Sequence, residues 1–450
     1  MSELLLTDRC DKSLCGENRL KASHDIKGVQ PEAEPPSSTP ELALLIENNY
    51  HLRFIIHHPT HTVFGIGMFR KVLFWLHLSA GVLAGLIILM MSVTGVLLTY
   101  ERQLQVWEDG PYYYQPAPGE QRLTVDQLIL AANRTEGFET DNLILASADD
   151  APFIARMGRS QTQHLNPYTG EIYTPHSDSL SGFFADVRSL HRWFMTTGEA
   201  RSTARDITGA ANLLFLFLLL SGSYLWLPKV FTWGTLKVRV WFNPLANTTA
   251  ARDFNWHHVF AFWAAIPLIV IIPTASVFNY GWANTLVYTL AGDTPPERSN
   301  SAPPNPQDEP RNAVSLDVLA STAQSYSANW KTLSFSLPAP GAQNVTFTLD
   351  EGNGGEPQKR HTVTMNRVSG AAVAYVPFTD QSPGMQARRW VRFLHTGEAL
   401  GLAGQTLAGL ASAAAALLVW TGLSLALRRF MRWRVRANNS DSEAAAQRIA

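Results

Sequence analysis

The stretch Lys71–Tyr100, KVLFWLHLSAGVLAGLIILMMSVTGVLLTY, decides how this chain is read. It is a long apolar run with a single imidazole, His77, near its start. A run of about 20 apolar residues is what the hydrocarbon core of a bilayer requires. An ionisable side chain inside such a span is expensive and marks a functional position.

The run recurs. Thr94 lies 17 residues after His77, and Tyr100 lies 23 after it. In the second apolar run, HHVFAFWAAIPLIVIIPTASVFNY, Thr274 and Tyr280 stand at the same two offsets from His257. Repeated spacing of this kind points to an internal duplication. The four residues Thr94, Thr274, Tyr100 and Tyr280 read as packing and interface positions.

Composition agrees with a membrane protein. The chain has 450 residues, 46% hydrophobic and 16% charged, against about 25% charged in soluble domains. Its net charge of −1 indicates no nucleic-acid partner. The two cysteines, Cys10 and Cys15, both lie in the N-terminal tail. No disulfide framework and no cysteine-ligated metal site is therefore available to the rest.

Taken in order, residues 1–67 are polar and read as a disordered tail containing His51, His57, His58 and His61. Met68 heads MFRKVLFW, a natural start for a membrane protein. Four spans are expected within 68–101, 186–228, 254–282 and 386–427. Residues 102–185 and 313–380 each combine helical periodicity with short strand patterns and read as small α+β domains. Residues 229–253 form a basic loop, 291–312 a proline-rich linker, and 428–450 a basic tail. Each half runs span, α+β domain, a Leu-His pair followed by Gly-Glu-Ala, then span. Ser221-Gly222 closes the first half and Thr421-Gly422 the second.

Arg70, Lys71, the loop and the tail flank one side of the spans, which the positive-inside rule makes cytoplasmic. Both termini are then cytoplasmic and both α+β domains periplasmic. On this topology His77 and His257 share one depth near the cytoplasmic face, and His191 and His395 share another near the outer face. Two facing helices offering one imidazole each suit a bis-histidine haem. The expectation is two haem b groups, ligated by His77 with His257 and by His191 with His395. His258 is the alternative to His257, although it points about 100° away on a helix. Gly81, Ala84 and Gly85 would allow close approach of the ring. Arg192, Arg201, Arg205 and Arg388 on the outer side would bind haem propionates, or else lipid phosphate. An intramembrane histidine can also be a hydrogen-bonded packing residue. His164, His176 and His361 read as surface residues. No GxGxxG, P-loop, HExxH or GxSxG pattern is present, so no nicotinamide or flavin domain is expected.

KVLFWLHLSAGVLAGLIILMMSVTGVLLTYER, HLNPYTGEIY, ITGAANLLFLFLLLSGSYLWLPK, RDFNWHHVFAFW and RFLHTGEALGLAGQTLAGL together resemble the PepSY-associated transmembrane family, also known as iron-regulated membrane proteins. The resemblance covers about residues 68 to 430. It implies PepSY-like α+β domains, histidine ligands at 77, 191, 257 and 395, and the activity of an inner-membrane dihaem ferric-siderophore reductase. Relatives often carry Gly where this chain has Ala261 and Ala275.

The expected fold is an α-helical membrane protein of four spans in two duplicated halves, with two periplasmic PepSY-like domains. The expected function is electron transfer to a periplasmic ferric siderophore or other ferric chelate, from membrane quinol or a separate reductase. A membrane-anchored regulatory protein without redox activity, and a His-lined metal transporter, are the alternatives.

Overall fold

A computed structural model describes residues 60–158, 161–173, 180–297 and 305–449. The readings placed on His51, His57, His58 and His176 lie outside the described residues. Four helices are long and apolar enough to cross a membrane: α1 (Thr60–Leu97), α5 (Ala200–Trp226), α7 (Thr249–Asn279) and α11 (Gly401–Ile449). Two boundaries differ from the sequence reading. Helix α1 begins at Thr60, inside the stretch read as tail. Helix α11 runs on through the basic tail, since nothing from Arg428 onward is a proline or glycine that would stop it.

The four helices form a bundle in which α1 and α7 each touch both α5 and α11. Ala84 and Ile88 of α1 pack with Ala211, Leu214 and Leu218 of α5. The Cβ position of Gly85 faces Val419 and Leu423 of α11 at 3.3–3.5 Å. Leu268 and Ile272 of α7 pack with Ala411, Ala414 and Ala415 of α11 and with Phe215 of α5. Small residues let helix backbones approach where lipid gives no hydrophobic drive. Buried Asn212 of α5 adds polar glue, donating to Ile272 O and Ser276 Oγ of α7, both at 3.0 Å.

At one end of the bundle the basic residues gather. Arg70 donates to Leu225 O and Leu227 O, capping the last carbonyls of α5, and Arg239 of α6 (Trp233–Val240) reaches Trp226 O. Arg428 of α11 pairs with buried Asp253 of α7 at 2.8 Å.

At the other end, α2 (Glu101–Glu108) leads to α3 (Val125–Ala132), β1 (Asn142–Ala146), β2 (Phe153–Met157) and β3 (Gln161–Leu165). After α7, α8 (Gly281–Leu290) leads to α9 (Leu316–Gln324), β4 (Thr332–Ser336), β5 (Asn344–Asp350), β6 (Arg360–Asn366) and β7 (Ala372–Val376). The two segments read as separate small domains are joined in one seven-stranded antiparallel sheet, ordered β3-β2-β1-β4-β5-β6-β7. The junction is the β1–β4 ladder, with Leu143 opposite Phe335 and Leu145 opposite Leu333.

The physical reason is edge pairing and a shared core. Alone, β1 and β4 would each expose an unpaired edge. Joined, Leu143, Leu333, Phe335, Phe347, Leu349, Val363 and Met365 bury one continuous face. Helices α3 and α9 cover that face through Leu128, Ala132, Leu319 and Ala323. Their N-termini are also tied together: Val125 N donates to Asp317 Oδ1 at 2.9 Å, and Asp317 N to Asp126 Oδ2 at 3.3 Å.

Candidate functional site: two levels of histidine in the bundle

Two more helices bring histidines to the sheet end of the bundle. Helix α4 (Leu180–Trp193) carries His191, and α10 (Pro383–Thr396) carries His395. Neither runs unbroken into its span. Helix α4 ends at Phe194 and Met195, two non-glycine residues at φ 53° and 59°. Such backbone is strained and is found where surrounding structure over-determines it. Helix α10 ends at Gly397, φ 78°, whose backbone crosses that of Gly404 too closely for a side chain.

All four expected ligands hold the same kind of contact. At the basic end, His77 Nδ1 lies 2.8 Å from Ser221 Oγ and His257 Nδ1 lies 2.9 Å from Thr421 Oγ1. At the sheet end, His191 Nδ1 lies 2.8 Å from Thr94 Oγ1. His395 Nδ1 lies 3.3 Å from Thr274 Oγ1 and 3.0 Å from Ile271 O. Each imidazole thus meets a hydroxyl on the neighbouring helix of its own half.

The direction of these bonds follows from proton count. A hydroxyl has one proton. Ser221 gives it to Phe217 O at 2.6 Å, and Thr94, Thr274 and Thr421 give theirs to Met90 O, Val270 O and Leu417 O at 2.7 Å. Each hydroxyl is then an acceptor, and each Nδ1 must carry the hydrogen. The carbonyl of Ile271, acceptor only, imposes the same on His395. In that tautomer Nε2 keeps its lone pair for a ligand. Outside the spans, burial holds the His191 imidazole down to about 4, with His395 and Arg192 adding to the effect, and burial also lowers His395. Both shifts favour the neutral ring, the form that can act as a ligand.

Space is provided where the rings sit. A Cβ on Gly222 would come 3.1 Å from His77 Cε1, and one on Gly422 would come 3.3 Å from His257 Cε1. These glycines face the imidazoles. Gly81 and Gly85, expected to serve the ring of a cofactor, instead meet Leu218, Val419 and Leu423 of neighbouring helices. His258 behaves differently from His257: its Nδ1 bonds Phe254 O on its own helix at 2.8 Å, and its ring packs on Phe254.

Thr94 and Thr274, read from sequence as packing residues, are histidine partners. Their repeated offset from His77 and His257 was the available signal. A hydroxyl in an apolar helix returns its proton to its own backbone and is left an acceptor. His164 and His361, read as surface residues, are mostly buried. His164 stacks on Tyr112 and pairs with Asp109 at 3.3 Å, while His361 stacks on Tyr375 and pairs with Glu351 at 3.3 Å.

The arginines expected on the outer side have contacts within the protein. Arg205 donates to Asn279 O at 2.6 Å, closing the C-terminus of α7. Arg388 donates to Asn284 Oδ1 at 2.6 Å and lies over Phe278, whose ring meets His395 edge-on. Arg192 and Arg201 flank Trp193 at 4.3 and 3.6 Å. Among the described residues, no group of three or more His, Cys, Asp or Glu gathers as a metal site.

The sequence model of the PepSY-associated TM region matches residues 74–429, most of the chain and all four histidines. The chain belongs to this family. Membership makes it a membrane protein, in agreement with its four apolar helices. No curated protein matches the chain.

Proposed function

We propose that this member of the PepSY-associated TM family is a dihaem b-type cytochrome of the bacterial inner membrane. It carries electrons outward to a ferric siderophore or another ferric chelate. The observation that carries the reading is the fourfold one: four imidazoles at two levels, each with Nδ1 held by a hydroxyl of a neighbouring helix, an arrangement that leaves the Nε2 lone pair for a ligand. His77 with His257, and His191 with His395, are the pairs that would hold haem, and when bound it would supply one-electron transfer between the two faces.

The protein's own residues provide the rest. The apolar helices exclude water from the ligands. Gly222 and Gly422 leave room beside the inner rings. The basic end, with Arg70, Arg239 and Arg428, is assigned to the cytoplasm by the positive-inside rule. The sheet then faces the periplasm. Each ferric ion takes one electron, supplied across the membrane by a quinol or a separate reductase. Reduction to Fe(II) weakens binding by hard oxygen donors and frees the iron.

The test is a dithionite-reduced minus air-oxidised spectrum of the purified protein, with haem counted per chain. Two haems with b-type bands support the reading. A colourless protein, expressed with ample haem, overturns it in favour of a regulatory or binding role.

A further inference from the structure

We infer that Thr94, Ser221, Thr274 and Thr421 are positioning residues, which set the tautomer and ring plane of the four histidines and the electron donation each can make. The inference rests on the dihaem reading.

The hydroxyls are arranged reciprocally. Helix α1 gives His77 to Ser221 of α5 and Thr94 to His191, the residue that leads into α5. Helix α7 gives His257 to Thr421 of α11 and Thr274 to His395, the residue that leads into α11. All four contacts lie within a half. The proposed ligand pairs, His77 with His257 and His191 with His395, lie between halves. Each half therefore orients two Nε2 atoms by itself, and a bound ligand joins the halves.

A partner on the second ring nitrogen fixes orientation and raises the basicity of the ligating one. Here that partner is a hydroxyl already polarised by donating to a carbonyl one turn back. A more basic imidazole favours ferric over ferrous iron. Removing the acceptor should therefore raise the midpoint of the haem at that level and leave the other unmoved. His395 keeps Ile271 O as an acceptor when the hydroxyl is absent, and His191 and His257 likewise keep the carbonyls of Met91 and Leu418, so the largest shift is expected from Ser221, the partner of His77.

The experiment compares Thr94→Val, Ser221→Ala, Thr421→Val and Thr274→Val with the hydroxyl-retaining Thr94→Ser, Ser221→Thr and Thr421→Ser. Potentiometric titration is read alongside ring ¹⁵N NMR of histidine-labelled, dithionite-reduced protein. We expect Thr94→Val to raise the outer midpoint, and Ser221→Ala and Thr421→Val to raise the inner one. Thr274→Val should raise the outer midpoint as Thr94→Val does, Ser221→Ala should give the largest shift of the four, and the hydroxyl-retaining variants should keep wild-type values. Each apolar variant should also perturb one Nδ1–H resonance. Unchanged potentials and resonances in apolar variants that still bind two haems would overturn the inference. A wild-type protein without haem fails the dihaem reading instead. In that sample the NMR spectrum alone decides, and histidines protonated at Nε2 would overturn the positioning role.

Discussion

His191 Nδ1 lies 2.8 Å from Thr94 Oγ1, a residue 97 positions earlier on another helix. The same relation, with the roles of the helices exchanged, links His77 to Ser221 at 2.8 Å. Both contacts repeat in the second half. Recurrence between the halves follows from the duplication, and recurrence at both ends of the bundle within one half is the further regularity.

Single ligand losses should separate the two levels. His191→Ala and His395→Ala should each lower haem content from two per chain to about one, sparing the inner group. On the proposed function the outer level would deliver the electron, so ferric-chelate reduction should fall by at least about tenfold. Haem quantification and a chelate-reduction assay in vesicles check this. Full haem content and activity in His395→Ala would exclude the assignment.

His257 and His258 should differ. The His258 ring bonds its own helix and packs on Phe254. His258→Ala should keep both haems, while His257→Ala should lose the inner one. The reduced spectrum of each variant decides between them.

Gly222 and Gly422 should not tolerate bulk. Their Cβ positions lie 3.1 and 3.3 Å from the imidazole Cε1 atoms. Gly422→Val should push His257 away from Thr421, and forcing such overpacking costs about 1–3 kcal/mol. Loss of the inner haem with a correctly inserted, monodisperse protein is the expected outcome on size-exclusion chromatography and absorption.

The sheet should unfold as one unit. Phe335 is buried where β4 meets β1, its ring tilted against that of Phe347 at 4.6 Å. Phe335→Ala should cost about 3–5 kcal/mol, as large core truncations do. Hydrogen exchange should rise together in β1, β4 and β5. Protection lost in β4–β7 alone would show that the halves fold independently.

Removing Arg102 should loosen the sheet from the bundle without unfolding either. Its guanidinium pairs with Glu398 at 2.8 Å and donates to Asn353 O at 3.0 Å, lying against Gly354 and Gly355. The pair is partly exposed, so Arg102→Ala should cost only about 1 kcal/mol. Hydrogen exchange in 351–356 should increase while the haem spectrum stays unchanged.

The sequence by itself determined the spans, the duplication and the four histidines. Those are one-dimensional properties: run length, apolar content and repeated offsets all survive in a string of letters. It also implied that both α+β segments leave the same end of the bundle, because each follows an outward-running span. What each histidine touches was decided by tertiary structure. Ser221 lies 144 residues from His77 and Thr421 lies 164 from His257. No local pattern states that these pairs meet, since the register of two packed helices depends on side chains along their whole contact. The fusion of two expected domains into one sheet was decided in the same way. Strands β1 and β4 are ordinary edge-length segments, and only the shared core beneath them makes their pairing favourable. Arg205 and Arg388 show the same limit: their charge was legible, but the helix end closed by Arg205 and the Asn284 amide bound by Arg388 were not.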